Sequence, residues 1–218
     1  MKKKILFLVL ILCLVLYGCK KEETPDNKLL DNVKIEELGI IKSDLGEECL
    51  LLKATNNNSN NITVFSTVKL YDSSKKELAS ETGYISLYNK QSGYYIVEIS
   101  SENKYDSYEL QNDAAGNMYD NYKDIYNNVK LEQTNSDDKE LINFKIENKS
   151  NKTISAKVLG LFYKNNKIIA ASIGECEDVD KNNTCNDSIY IPVVSVDDYR
   201  IIDYDKVEIS LMNVNYSN

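Results

Sequence analysis

A stretch of this chain returns further along it, and a repeated unit must reach the same fold twice from different side chains. Asn32-Val33-Lys34-Ile35-Glu36 comes back as Asn128-Val129-Lys130-Leu131-Glu132, with a looser echo at Lys206-Val207-Glu208-Ile209. Between these anchors, Asn57-Asn58-Ser59-Asn60-Asn61-Ile62 leads into Val64, Val68, Leu70 and Tyr71. In the second copy Asn148-Lys149-Ser150-Asn151-Lys152-Thr153-Ile154 leads into Val158, Leu161, Phe162 and Tyr163, at an offset of 91 or 92 residues. Gly93-Tyr94-Tyr95-Ile96-Val97 is answered by Ser188-Ile189-Tyr190-Ile191-Pro192-Val193.

Each copy reads as strands. Ile62, Val64, Val68 and Leu70 alternate with Thr63, Thr67 and Lys69, the period of two that a half-buried strand requires. Cys49 to Ala54 is apolar apart from Lys53, which suits an inner strand. The Asn/Ser clusters at 56–61 and 148–152 are turn formers, because Asn tolerates left-handed backbone and its side chain bonds locally. Asp72-Ser73-Ser74-Lys75-Lys76 and Lys164-Asn165-Asn166-Lys167 mark the next hairpin turns. The expected fold class is all-β, two tandem small β-sandwich domains over residues 29–127 and 128–218. One continuous sandwich stays open as an alternative, since residues 129–132 can end one unit and begin the next.

Function tends to sit where two copies of a scaffold diverge. The anchors lie 96 residues apart in the first unit and 78 in the second, an excess of 18. Most of it is expected in Ser100–Tyr122, an insertion carrying Tyr105, Tyr108, Tyr119 and Tyr122. Tyrosine offers a flat apolar face, a polar tip and only two rotatable angles, which suits contacts to a glycan or a protein. These four are the candidate partner-binding residues, and the competing expectation is a hairpin or loop whose tyrosines pack on the protein itself. In the second unit Cys176 and Cys185, nine positions apart, are expected to close a loop as a disulfide. Inside it, Asp178, Asp180, Asn182 and Thr184 space oxygen donors as the start of a calcium loop does. Asn183 stands where that loop needs Gly and no Glu follows at the twelfth position, so the segment reads as a solvated acidic turn. No metal or cofactor is assigned. Cys49 is left as a buried core thiol.

The N-terminus carries an address. Met1-Lys2-Lys3-Lys4 precedes an apolar run from Ile5 to Leu16, too short to span a bilayer core, which takes about 20 helical residues. A signal segment over residues 1–18 is expected. Leu16-Tyr17-Gly18-Cys19 resembles the lipobox of bacterial lipoproteins, although Tyr17 is bulkier than is usual there. The resemblance implies cleavage before Cys19, a diacylglycerol on its sulfur and display on the extracellular face of the cell membrane. Residues 19–28, charged and carrying Pro25, read as a flexible tether.

The units themselves resemble the FxLYD domains of bacterial envelope proteins: an Asn-Ser turn, an alternating strand, then Leu70-Tyr71-Asp72 and a polar turn. In the second unit the ending is Leu161-Phe162-Tyr163-Lys164, so the Asp is lost. The resemblance implies an immunoglobulin-like sandwich and extracellular display, and it brings no catalytic residues.

Composition narrows the function classes. Removing Lys2, Lys3 and Lys4 with the leader leaves 23 basic residues against 34 acidic ones, a net charge of −11. Such a surface repels nucleic acid and anionic lipid, so no nucleic-acid partner is expected. The sequence contains no His, which removes Ser-His-Asp and Cys-His mechanisms and the commonest zinc ligand. The expectation is a non-enzymatic, lipid-anchored binding or scaffolding module, held to the membrane by its lipid and meeting an envelope protein or glycan. A solute-binding lipoprotein is the first alternative, although it usually needs two α/β lobes. An envelope hydrolase using paired carboxylates is the second.

Overall fold

In the computed structural model, residues 28–217 are described apart from 100–103, 118, 137 and 196. The signal segment, the lipobox, Cys19 and all of the tether but Lys28 lie outside the described residues. After a single 3-10 turn at Leu30–Asn32 come β1(Val33–Lys42), β2(Glu48–Asn56), β3(Ile62–Tyr71), β4(Glu77–Leu87), β5(Ser92–Ile99) and β6(Ser107–Gly116). A short helix, α1(Tyr122–Asn127), leads to β7(Val129–Gln133), β8(Leu141–Asn148), β9(Ile154–Lys164), β10(Lys167–Val179) and β11(Thr184–Tyr190). A hairpin, β12(Val193–Ser195) and β13(Asp198–Ile201), precedes the last strand, β14(Lys206–Tyr216). The fold is all-β, built as sandwiches.

The two halves share one topology. In the first, β1-β2-β5 forms one antiparallel sheet and β4-β3-β6 the other. In the second, β7-β8-β11 faces β10-β9-β14. This equivalence corrects the sequence alignment at one point. Lys206–Ile209 belongs to β14, the counterpart of β6, not to a third copy of the opening strand. The segment around Tyr108 is therefore no insertion: it supplies the sixth strand of its sandwich, and the element peculiar to the second half is the β12–β13 hairpin.

The Asn-rich turns repeat in atomic detail. The buried Asn56 side chain donates to the carbonyls of Asn60 (2.8 Å) and Leu87 (3.2 Å) and accepts from the Asn58 N–H (2.9 Å). Asn148, equally buried, donates to Lys152 O and Val179 O (both 2.8 Å) and accepts from the Ser150 N–H (2.9 Å). One amide thus satisfies a tight turn and the end of a strand in the facing sheet, which is why Asn recurs there.

Each sandwich has its own interior. Leu50, Leu52, Tyr95 and Val97 face Ile62, Val64, Val68, Leu70 and Leu87 in the first; Phe144, Ile146 and Ile189 meet Ala156, Val158 and Phe162 in the second. The register also turns Leu51 and Ile96, paired on β2 and β5, out of the first sandwich, and both are buried. Leu159, Leu161, Ala171 and Met212, which belong to the second half, join the first half's apolar cluster. β2 and β9 are therefore covered on both faces, which explains their unbroken apolar runs. A parallel bridge, Lys42 to Ala170, joins β1 to β10.

Candidate functional site

The four candidate tyrosines fall at opposite ends of β6. Near its start, the Tyr105 hydroxyl donates to Glu48 Oε2 at 2.7 Å, and that of Tyr108 donates to Glu37 Oε1. Burial and the Glu48 carboxylate push the Tyr105 phenol up to about 12. Hydrogen bonding to Glu37, then burial, raises that of Tyr108. Both rings are half-buried and pack against the first apolar cluster, closing the β6 edge over β1 and β2.

Tyr119 and Tyr122 lie beyond the other end, roughly 30 Å away for a ten-residue strand, where the two halves meet. Tyr122 is fully buried, and its hydroxyl accepts from the Val214 N–H at 3.4 Å. Tyr119 sets its ring edge against Tyr216, with centroids 5.1 Å apart, and donates to Tyr216 O at 3.4 Å. The structure thus divides the four into two pairs with different neighbours, and Tyr122 has no surface left for a ligand.

Three aromatic residues that the sequence did not single out complete this joint. Tyr126 meets Tyr88 edge-on at 5.6 Å and Tyr122 at 6.2 Å, and its hydroxyl donates to Leu211 O at 3.1 Å. Lys123 sits 5.6 Å from the Tyr88 ring centre and Lys152 4.5 Å from that of Tyr216, within cation–π range. One run of rings links Tyr88 of the β4–β5 turn to Tyr126 and Tyr122 of α1, and a separate pair, Tyr119 and Tyr216, brings in β14. The available signal was the Tyr spacing of Tyr119, Tyr122 and Tyr126 at helical intervals; Tyr88 and Tyr216 are distant in sequence and gave none.

Polar grooves flank the joint. One is lined by Asn60, Asn61, Asn117, Tyr119 and Lys123, the other by Asn128, Lys149, Asn151 and Tyr216, and both share Asn121 and Asp124. Several of the amides serve the fold: Asn61 donates to Asp120 O at 2.8 Å, and Asn117 Oδ1 accepts from the Tyr119 N–H at 2.9 Å. Chemically the grooves offer amides, carboxylates and tyrosine edges, a set suited to binding hydroxylated or peptide groups.

Cys176 on β10 and Cys185 on β11 form a disulfide, with Cα atoms 6.1 Å apart. Within the loop, Thr153 Oγ1 donates to Asp180 Oδ1 at 3.0 Å and Asp180 O accepts from the Asn183 N–H at 3.0 Å; Asn182 takes a left-handed φ of 57°. Among the described residues, the grouping of Cys and acidic side chains close enough for a metal is Cys176, Cys185 and Asp187, and its two sulfurs are bonded to each other. Cys49 is buried, and desolvation pushes its thiol up to about 12. Among the described residues no helix is long and apolar enough to cross a membrane.

No protein-family model matches the chain, and no curated protein matches it. Among solved structures, red sea bream transglutaminase aligns over 73% of this chain at 7% identity and a TM-score of 0.25. The chain spans 26% of that enzyme's length, and a likeness this slight carries no argument about activity.

Proposed function

We propose that this protein is a lipid-anchored, extracellular module of the bacterial cell envelope that binds or scaffolds another envelope component and catalyses no reaction. The observation that carries the reading is the order of the chain: Leu16-Tyr17-Gly18-Cys19, a charged segment, then two sandwiches. A lipid on Cys19 would supply anchoring through its acyl chains, each buried CH₂ contributing about 0.8 kcal/mol. The aromatic joint supports a scaffolding role, because it ties both halves through α1 and β14. The likeness to FxLYD domains belongs to this reading as well.

The test is metabolic labelling with a clickable fatty acid, followed by membrane fractionation and protease treatment of intact cells. The wild-type protein should carry the label, sediment with membranes and be digested from outside. Cys19→Ser should lose the label and leave the membrane fraction. An unlabelled wild-type protein, or one shielded from external protease, overturns the proposal.

A further inference from the structure

The two ends of this molecule differ. Residues 28–32 enter beside the Asn-rich turn, where Asn32 O accepts from the Asn57 N–H at 2.8 Å. β1 then runs about 30 Å, ten residues at strand rise, to the turn of residues 43–47 at the opposite pole. There the two halves meet a second time. The Val193 N–H donates to Asp44 O at 3.1 Å. Gly46, at a φ of 75°, lies so close that a Cβ on it would stand 2.5 Å from Ser195 Cα. Glycine is required here on both counts.

This weld between the β1–β2 turn and the β12–β13 hairpin carries large apolar side chains in the open. Tyr199 is 77% exposed, Leu45 58% and Val194 40%. Neither half displays all three. Around them the charge is acidic: Asp44 and Glu47 lie close enough to Glu98 to raise its carboxyl, after burial, above the usual range. Asp197 and Asp198 sit on the hairpin, where the chain's single arginine, Arg200, is held by Asp198 at 2.5 Å. Lys42, acting on Cys49, and Lys157, acting on Glu98, are cations near this acidic group.

We infer that this pole is a docking surface for a protein whose apolar contact is ringed by lysine or arginine. The inference rests on the proposed anchored module and deepens it by naming the face and the partner. Exposed aromatic and aliphatic side chains flanked by charge mark protein contacts. The acidic rim selects the sign of the partner: a second copy would set acid against acid, and an anionic bilayer would be repelled.

The experiment places a photo-crosslinking p-benzoylphenylalanine at position 199 in the full-length, lipid-anchored protein in intact cells, with the exposed position 181, beside the Asn148 turn at the other pole, as control. Fatty-acid labelling is read on the same cells, so that failed anchoring is distinguished from failed docking. Position 199 should capture one protein, through a peptide that is apolar and flanked by basic residues. Leu45→Asp, at an exposed site that leaves the fold intact by circular dichroism, should cut that yield at least about tenfold, as loss of an interface anchor does. Cross-links from 199 to a second copy or to lipid, no cross-link in an anchored protein, or a yield indifferent to Leu45→Asp would each overturn the inference.

Discussion

At the scale of single residues, the two halves solve the same problems with the same or substituted groups. Asn56 and Asn148 hold equivalent turns with equivalent hydrogen bonds. Replacing either by Ala strips buried carbonyls and an N–H of their partner, a change that costs about 1–3 kcal/mol. Urea unfolding of Asn56→Ala and Asn148→Ala should show losses of that size and similar to each other; a loss at only one position would break the equivalence. Asp72 caps the β3–β4 turn, accepting from Ser74 Oγ at 2.6 Å and the Lys76 N–H at 3.0 Å, and these bonds hold its carboxyl below the usual range. In the second half Lys164 replaces it, and Asp205, reaching in from the start of β14, accepts from the Asn165 N–H at 2.8 Å. The turn survives the loss of the motif residue because another strand supplies the carboxylate. Cys49 gives a second prediction. Buried and with its thiol pushed up, it should resist iodoacetamide at neutral pH in the folded protein and react once denaturant is added. Fast native labelling would contradict its burial.

At the scale of elements, the disulfide fills a gap that the first half fills otherwise. Cys176 pairs with Ala156 and Cys185 with Ile146. The same places in the first half are Ile85, opposite Val64, and Gly93, opposite Ala54. There the Ile85 Cδ1 atom lies 2.6 Å from where a Cβ on Gly93 would be. One half spans its two sheets at this point with sulfur and the other with an isoleucine folded over a glycine. Replacing both cysteines by Ala should cost about 2–3 kcal/mol, the chain-entropy value for so short a loop; an unchanged denaturation midpoint would show that the neighbouring contacts suffice without it. The strands of the repeated blocks were legible because their alternation is clean. β6 was not, because its inward position 112 is Asn. Ser66 Oγ is 2.6 Å from Asn112 Oδ1 and 2.6 Å from the Tyr95 hydroxyl, a buried polar link that interrupts the apolar period and disguises a core strand as a polar segment. The tyrosines were read from composition, and composition carries no information on which of them face inward.

At the scale of the molecule, the sandwiches are joined over a face and not by a linker alone. Side chains that leave one sandwich, Leu159 and Leu161, enter the apolar cluster of the other. Asn213, buried at the bulge in β14, accepts from the Ser86 N–H at 2.7 Å and donates to Tyr84 O at 3.4 Å. The link lies 127 residues away in sequence, so no local pattern announced it. This coupling makes the halves one cooperative unit: calorimetry of residues 28–218 should show a single transition whose calorimetric and van't Hoff enthalpies agree. Asn213→Ala should lower stability by about 1–3 kcal/mol by leaving the Ser86 N–H without its acceptor. Leu161→Asp, which sets a charge in the shared cluster, should split the transition in two if the halves can fold apart, or abolish it if they cannot. Two separate transitions in the unsubstituted chain would mean that the shared face adds little. The displayed pole, built from one turn of each half, would then lose the rigidity on which its use as a docking surface depends.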